Sequence, residues 1–232
     1  MRILSIVHGP RVRAELFGDV MLAAGHALDE WSIVSQAAPP RRLEEYDAVF
    51  VFGGHMNVDQ EREYPWLRRE DEVIRGLVER HVPLFGVCLG GQLLAKAAGA
   101  PVEPLPEVQR GFARVTLSAG AADDLLFGAL PSEFDAFMGN GYTFGVPEGA
   151  VELARSEVCT QAIRVGDCAW GVQFHPEVRV EQVAEWYARE EDVPDAQRYV
   201  DELRERINEW QAFGARLCRL FLAAADRATA AR

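Results

Sequence analysis

Closely spaced cysteines are missing from this sequence. Its four cysteines, Cys88, Cys159, Cys168 and Cys218, lie far apart, and none of them forms a Cys-x-x-Cys pair. Disulfide scaffolds and zinc sites normally depend on such spacing, so we expect neither a disulfide framework nor a metal site. The opening run MRILSIVHGP also lacks the long apolar core and small-residue cleavage site of a signal peptide. Both absences favour a cytoplasmic protein.

Basic residues and long apolar runs are also scarce. The chain has 24 lysines and arginines against 36 acidic residues, which gives a formal net charge of -12. A surface of this charge repels a phosphate backbone, so nucleic acid is not an expected partner. No apolar run approaches the length of a transmembrane helix, so no membrane partner is expected either.

Short apolar runs indicate the fold class. Segments 3–7, 46–52 and 82–87 are nearly continuous apolar stretches, as expected for buried strands of a parallel sheet. Between the second and the third lies a helical pattern over about 64–80, which predicts a βαβ unit. We therefore predict an α/β fold, with a mostly parallel central sheet flanked by helices and a small antiparallel β portion.

The middle and the end of the chain complete this organisation. Segment 101–169 is richer in glycine and proline, so we expect antiparallel strands and loops there, followed by a further strand over 168–174. From about residue 195, apolar residues recur every three or four positions, which predicts a C-terminal helix. We expect this helix to dock on its own domain, with a homodimer seam as the alternative. The whole chain, 1–232, is predicted to be a single domain.

The strongest chemical signal is a cysteine between two spaced glycines. The segment Gly86-Val87-Cys88-Leu89-Gly90 has the pattern of a nucleophile elbow with cysteine in place of serine. A predicted strand runs into it and a helical run leaves it. Such a turn lifts the sulfur above the carboxyl ends of the strands and sets it at a helix N-terminus, where partial positive charge favours the thiolate. Cys88 is therefore the predicted nucleophile.

A second signal is the stretch QFHPE, which ends an apolar strand. Glu177 follows His175 by two residues, near enough for its carboxylate to accept a hydrogen bond from the imidazole. A histidine that is oriented by a carboxylate and set beside a thiol is the arrangement of a catalytic triad. We therefore predict His175 as the base and Glu177 as the residue that orients it.

A third signal is a pair of glycines at another strand end. Gly53 and Gly54 allow a backbone N–H to point at a reacting carbonyl oxygen, and with the N–H of Leu89 this would form an oxyanion hole. An ordinary glycine turn is the alternative. The neighbouring His55 is a weaker candidate base than His175, because its nearest carboxylate, on Asp59, is four residues away.

These segments together resemble the class I glutamine amidotransferase family, especially stand-alone proteins similar to the amidotransferase part of GMP synthase. The matching stretches are VFGGHMNVD, YPWLRRE, GVCLGGQLLA, TFGVPEGA, QAIRVG and GVQFHPE. The resemblance implies a flavodoxin-like fold and hydrolysis of the side-chain amide of glutamine through a glutamyl thioester. It implies a triad of Cys88, His175 and Glu177, an oxyanion hole from Gly54 and Leu89, and a substrate contact from Gln92.

Two departures from the family pattern concern the substrate. The family usually has His-Gly-Asp in a loop before the TFGVP-like stretch, where this chain has Asn140, Gly141 and Tyr142. The run over 107–112 is also longer than the corresponding run of the family. Both changes fall where such enzymes hold the glutamyl group. Asn140, Gly141 and Tyr142 are therefore predicted substrate-binding residues, and the identity of the leaving amine stays open.

Three functions are compatible with these residues. The chain is a glutamine amidohydrolase that supplies ammonia to a separate synthetase chain, a γ-glutamyl amide or peptide hydrolase that frees a larger amine, or a catalytically silent binding or regulatory protein. The intact cysteine, histidine and glutamate favour the enzymes. The stretches FGG and CLGG are not phosphate loops, and we expect any acceptor synthetase to be a separate chain. We therefore expect a small-molecule glutamine or γ-glutamyl substrate and no cofactor.

Overall fold

The protein, in a computed structural model, is described over residues 1–10, 12–188, 193 and 195–230. No helix within these ranges has both the length and the apolar character needed to cross a bilayer. The strands and helices follow in the order β1 (Arg2–Val7), α1 (Glu15–Ala23), β2 (Ala27–Ser32), β3 (Ala48–Val51), α2 (Trp66–Glu79), β4 (Leu84–Val87), α3 (Leu89–Ala97), β5 (Val102–Leu117), β6 (Glu133–Phe144), β7 (Val151–Arg155), β8 (Thr160–Val165), β9 (Ala169–Val172), α4 (Val180–Tyr187) and α5 (Ala196–Ala230).

The described strands form one mixed sheet in the order β2-β1-β3-β4-β9-β8-β7-β5-β6. The ladders from β2 to β9 are parallel, and those from β9 to β6 are antiparallel. Strands β3 and β4 are buried along their whole length, as expected for parallel strands covered on both faces. The predicted α/β class, with a central sheet flanked by helices, is confirmed, and the antiparallel part is more extensive than the sequence suggested.

One face of the sheet carries an aromatic core. Phe17 of α1 and Phe221 of α5 pack against Phe50 of β3 and Phe85 of β4, and the Phe50 and Phe221 ring centroids are 4.8 Å apart. Each of these four rings is fully buried. Helix α5 therefore docks on the sheet of its own chain, and its apolar spacing is explained by this packing.

The opposite face is covered by α2 and α3. Leu67, Ile74 and Leu77 of α2 are fully buried against this side of the sheet. Glu70 lies on the same face of the helix and is also fully buried. A carboxylate in such a position needs a partner, since an unpaired buried charge is strongly destabilising.

Several elements were not predicted from the sequence. Helix α1 begins without a side-chain cap, and β2 is an edge strand in which only Trp31 is fully buried, so neither has a strong local signal. Helix α4 is only 8 residues long. The residues predicted to replace a family loop, Asn140 to Tyr142, lie instead inside β6, where Asn140 pairs with Gln109 of β5. The run Gly139-Asn140-Gly141 suggests a turn, but pairing with β5 overrides that local preference.

The long β5–β6 hairpin is interrupted at one place. The register shifts between Pro104 and Gln109 of β5, so the intervening residues have no ladder partner on β6. This interruption overlaps the longer run over 107–112 at Glu107 and Val108, and the rest of that run is paired with β6. It leaves Val108 unpaired beside β6, where a side chain added at Gly141 would lie 3.5 Å from Cγ2 of Val108.

Candidate active site

Cys88 occupies the turn between β4 and α3. Its φ of 51° and ψ of -108° lie where side chains are rarely tolerated, which is the strain of a nucleophile elbow. The turn requires its two glycines: a Cβ on Gly90 would lie 2.0 Å from the carbonyl oxygen of Val51, and a Cβ on Gly86 would lie 2.5 Å from that of Gly90. The sequence pattern therefore predicts this turn for a steric reason. The sulfur stands at the N-terminus of α3.

His175 lies just beyond β9, against Cys88. Its Nδ1 is 2.9 Å from Oε1 of Glu177. Its ring also lies near Cys88, since a Cβ on Gly53 would be 3.2 Å from Cε1 of His175 and 3.6 Å from Cβ of Cys88. All three residues are buried. Burial alone would lower the pKa of His175, but the Glu177 carboxylate and the Cys88 side chain outweigh it and raise that pKa to about 10. The imidazole therefore holds its proton more strongly than a free histidine does, and the Glu177 carboxylate is the main cause.

The backbone around His175 is anchored by other elements. Trp210 of α5 donates its indole N–H to the His175 carbonyl oxygen over 2.9 Å. One turn further along α5, Gly214 meets the segment so closely that an added Cβ would lie 1.9 Å from the Pro176 carbonyl oxygen. The Leu16 N–H of α1 binds the Glu177 carbonyl oxygen over 3.1 Å. Gly214 thus marks the place where α5 contacts the segment that carries His175.

Gly53 and Gly54 follow β3 beside the cysteine. A Cβ on Gly53 would lie 3.2 Å from Cε1 of His175 and 3.6 Å from Cβ of Cys88, and one on Gly54 would lie 2.8 Å from Cδ2 of Leu89. Within the described part of the chain, neither the Gly54 nor the Leu89 N–H donates to a backbone oxygen. Both amides are therefore without a backbone acceptor among these residues, and Gly54 lies against Leu89, the residue after Cys88.

A cavity of about 820 Å³ opens above the sulfur. Among the described residues, no group of three or more His, Cys, Asp or Glu side chains could hold a metal ion there or elsewhere. Leu89 and Glu177 lie behind the wall, next to Cys88 and His175 respectively. The other predicted site residues all line the cavity: Gly54, Cys88, Gln92, Asn140, Gly141, Tyr142 and His175.

The polar wall of this cavity is a hydrogen-bonded network. The amide nitrogens of Gln92 and Asn140 both donate to the Tyr142 carbonyl oxygen, over 3.3 and 3.0 Å. The Tyr142 hydroxyl donates to Asp59 over 3.3 Å. The Asn140 side-chain oxygen is buried and has no hydrogen-bond partner among the described residues.

One buried pair of residues at this cavity was not predicted from the sequence. His8, which also lines the cavity, is bound to Glu70 with Nε2 2.8 Å from Oε1. A signal for it existed, because Glu70 falls between Leu67 and Ile74 on the apolar face of α2. By contrast, His55 is exposed and its ring packs edge-on against Tyr64, with centroids 5.9 Å apart.

Comparisons with known proteins agree with this geometry. Residues 24–190 match the model of the family described as glutamine amidotransferase class-I. The chain is 29% identical over 187 residues to the glutamine amidotransferase-like protein YfeJ of Salmonella typhimurium, across 79% of this chain and 78% of that protein. It is 40% identical over 100 residues to the glutamine-hydrolysing GMP synthase of Porphyromonas gingivalis, across 42% of this chain but only 19% of that enzyme.

The fold has solved counterparts as well. The crystal structure of a glutamine amidotransferase from Thermotoga maritima matches with a TM-score of 0.85 and 25% identity, over 95% of this chain and 98% of that one. Since α5 is 35 residues long, a match of this extent includes at least part of the C-terminal helix. Since the family model covers well over half of its residues, this chain belongs to the class I glutamine amidotransferase family.

Proposed function

We propose that this protein hydrolyses the side-chain amide of glutamine or of a γ-glutamyl compound, with Cys88 as the nucleophile. The observation that carries the proposal is the strained turn that holds Cys88 against the buried His175–Glu177 pair at the floor of a large cavity. Structural cysteines have no need of such a turn. Family membership supplies the reaction class.

The triad would act in two steps. The Cys88 thiolate attacks the amide carbon, and protonated His175 gives its proton to the departing amine, which leaves a γ-glutamyl thioester on the sulfur. His175 then takes a proton from water as it attacks the thioester, and glutamate and the thiolate are released. Glu177 keeps the imidazole in the orientation that both transfers need, since its carboxylate accepts from Nδ1 over 2.9 Å.

The negative charge that develops on the amide oxygen needs hydrogen-bond donors. We assign this role to the N–H groups of Leu89, which directly follows Cys88, and of Gly54, where an added Cβ would lie 2.8 Å from Cδ2 of Leu89. Neither group donates to a backbone oxygen among the described residues. Backbone donors of this kind stabilise the transition state effectively, because they are already in place and need no rearrangement when the charge forms.

The γ-glutamyl end of the substrate would be held by the polar wall. The free oxygen of Asn140 suits an α-ammonium group, because it accepts and the ammonium donates. Its orientation is fixed, since the amide nitrogen of the same side chain already donates to the Tyr142 carbonyl. Gln92 and Gly141 complete this wall.

The leaving amine is proposed to be larger than ammonia. Cavities of 300–1,000 Å³ hold drug-sized ligands, and this one, at about 820 Å³, is far larger than glutamine needs. The amine must depart next to His175, whose ring is 5.0 Å from that of Trp186. An apolar or aromatic surface beside the leaving group favours an amine with a carbon skeleton.

Two other arrangements are distinguishable from this one. In the first, glutamine is the substrate and a separate synthetase chain receives the ammonia, as the short span matched to GMP synthase suggests. In the second, the chain is a silent binding protein. None of the four cysteines forms a disulfide with another described residue, which suits our proposal of a reducing cytoplasmic setting in either case.

A substrate panel tests the proposal. Free glutamine and a series of γ-glutamyl amides with larger amines would be incubated with the wild type and with Cys88→Ala, and amine release would be measured. We expect one larger amide to be hydrolysed well and free glutamine slowly. If all amides are poor until a synthetase is added, the partner arrangement is correct. If no amide is hydrolysed and iodoacetamide leaves Cys88 unmodified at neutral pH, the chain is a silent homologue.

A further inference from the structure

His8 makes contacts from both of its ring nitrogens. It directly follows β1 and its side chain is fully buried. Nε2 lies 2.8 and 2.9 Å from the two carboxylate oxygens of Glu70, and Nδ1 lies 2.8 Å from the carbonyl oxygen of Gly53. The Trp66 ring stacks on the imidazole with centroids 5.3 Å apart. The ring is therefore held on two edges and one face.

These partners determine the charge of the ring. A backbone carbonyl oxygen can only accept, so Nδ1 must donate to Gly53, and an ionised carboxylate can only accept, so Nε2 must donate to Glu70. A ring that donates from both nitrogens is an imidazolium. Although burial lowers the pKa of His8, Glu70 and the Gly53 carbonyl raise it further, and the net direction is upward. His8 and Glu70 thus form a buried ion pair.

The acceptor of this imidazolium belongs to the peptide that joins Gly53 to Gly54. In a trans peptide the carbonyl and the N–H point in opposite directions, so the direction of the Gly53 oxygen sets that of the Gly54 N–H. A peptide between two glycines turns over at little steric cost, because neither residue carries a Cβ. Without a fixed partner, this N–H would have no defined direction.

We propose that His8 is a positioning residue for the oxyanion hole, holding the Gly53 carbonyl so that the Gly54 N–H points to the amide oxygen of a substrate at Cys88. Glu70 serves by fixing the His8 ring. The inference rests on the proposed function, in which Gly54 is a donor. Gly54 lies between His8 and the second proposed donor, Leu89: a Cβ on Gly54 would lie 3.1 Å from Cβ of His8 and 2.8 Å from Cδ2 of Leu89.

If His8 had only a structural role, a different contact of its ring would be the important one. If His8 only ties β1 to α2, the contact that matters is Nε2 with Glu70; if it positions the peptide, the contact that matters is Nδ1 with Gly53. Asparagine can supply a donor at the Nδ1 position, and glutamine one at the Nε2 position. Combining each with Glu70→Gln avoids leaving a buried carboxylate without a partner.

The experiment compares H8N/E70Q with H8Q/E70Q in the full chain on the best γ-glutamyl amide of the panel. Loss of one oxyanion donor typically costs about 100- to 1,000-fold in kcat. We expect about that loss in H8Q/E70Q with KM little changed, and a kcat at least ~10-fold higher in H8N/E70Q. Asp124→Asn is the matched control, because Asp124 is a buried carboxylate bound to Arg164 and Trp170 and absent from the cavity wall. It should lose stability but keep kcat.

Crystal structures of the two double variants give a readout that does not need turnover. The Gly53–Gly54 peptide should keep its orientation in H8N/E70Q and turn over in H8Q/E70Q. An unchanged peptide in both, or equal kcat values in two folded variants, would overturn the inference. If the wild type hydrolyses no amide, the proposed function fails, and the peptide orientation still decides whether His8 positions it.

Discussion

At the scale of single residues, three side chains carry the proposed chemistry, and each is held by contacts that can be removed one at a time. Cys88 is fixed by the steric needs of its turn, His175 by Glu177 and Trp210, and Asn140 by the Tyr142 carbonyl. The cysteine and histidine could be predicted from sequence, because glycine spacing and a nearby carboxylate are local signals. The His8–Glu70 pair required the fold, because one member follows β1, the other lies on α2, and 62 positions separate them in sequence.

Removing the nucleophile should abolish turnover. Cys88→Ala is expected to lose several orders of magnitude in kcat while keeping the wild-type unfolding transition, because the triad acts as a unit. Cys168→Ala and Cys218→Ala are the controls, since both thiols are buried in the core and should affect stability only. Amine release and thermal unfolding would be measured for all three. A dead but folded Cys168→Ala would count against Cys88.

The charge of His175 should depend on Glu177. A base whose pKa is raised by folding, here from 6.5 to about 10, contributes stability that is complete below 6.5 and is lost as the pH rises through about 10. Glu177→Gln removes the largest cause that raises this pKa. We therefore expect the NMR titration midpoint of the His175 ring to fall in Glu177→Gln, and alkylation of Cys88 at neutral pH to slow. An unchanged midpoint would refute this coupling.

The Asn140 contact can be tested from the side of the substrate. Asn140→Ala should lower kcat/KM on a γ-glutamyl amide by about 10- to 100-fold, because the α-ammonium group loses its acceptor. The matching glutaric amide, which lacks the ammonium group, should be affected much less. The values of kcat/KM would be measured for the wild type and for Asn140→Ala on both substrates. Equal losses on the two substrates would show that Asn140 does not bind the ammonium group.

At the scale of elements, the site depends on a helix that the catalytic motifs do not include. Helix α5 contacts the backbone of His175 and Pro176 through Trp210 and Gly214. Its existence was predictable from apolar spacing, but its contact with the site was not, because nothing local relates residue 214 to residue 176. In the same way, β6 could not be predicted through Gly139 and Gly141, since only pairing with β5 makes an extended strand of them.

Adding one methyl group to α5 should disturb the site. A Cβ at Gly214 would lie 1.9 Å from the Pro176 carbonyl oxygen, so Gly214→Ala must displace the helix or the segment that carries His175. We expect a loss of about 1–3 kcal/mol in the free energy of unfolding, as overpacking typically causes, together with a fall in kcat of about tenfold or more.

A second helical glycine provides the matched control. At Gly76 of α2, an added Cβ would meet only the flexible end of Arg80, at 3.1 Å. Gly76→Ala should therefore raise the free energy of unfolding by about 0.5–1 kcal/mol and leave kcat unchanged. Urea unfolding and steady-state kinetics would be measured for both variants. A Gly214→Ala protein that behaves like Gly76→Ala would show that the helix does not constrain the site.

At the scale of the whole molecule, family membership and cavity size support different parts of the account. Family membership supports a reaction on the amide of glutamine. The likeness to a solved amidotransferase over 95% of the chain supports the architecture. The cavity of about 820 Å³ and the Asn140–Tyr142 wall belong to this chain and bear on its substrate. Sequence comparison alone could not give the size of a cavity that several elements enclose.

The central claim is that Cys88 takes the γ-glutamyl group from an amide. Intact-protein mass spectrometry on acid-quenched reactions, followed by peptide mapping, tests it most directly. With the best amide of the panel, we expect the peptide that contains Cys88 to gain the mass of one γ-glutamyl group. If Glu177→Gln slows thioester hydrolysis more than acylation, a larger fraction of that variant should carry the adduct. An adduct on another residue, or amine release by Cys88→Ala at the wild-type rate, would contradict the claim.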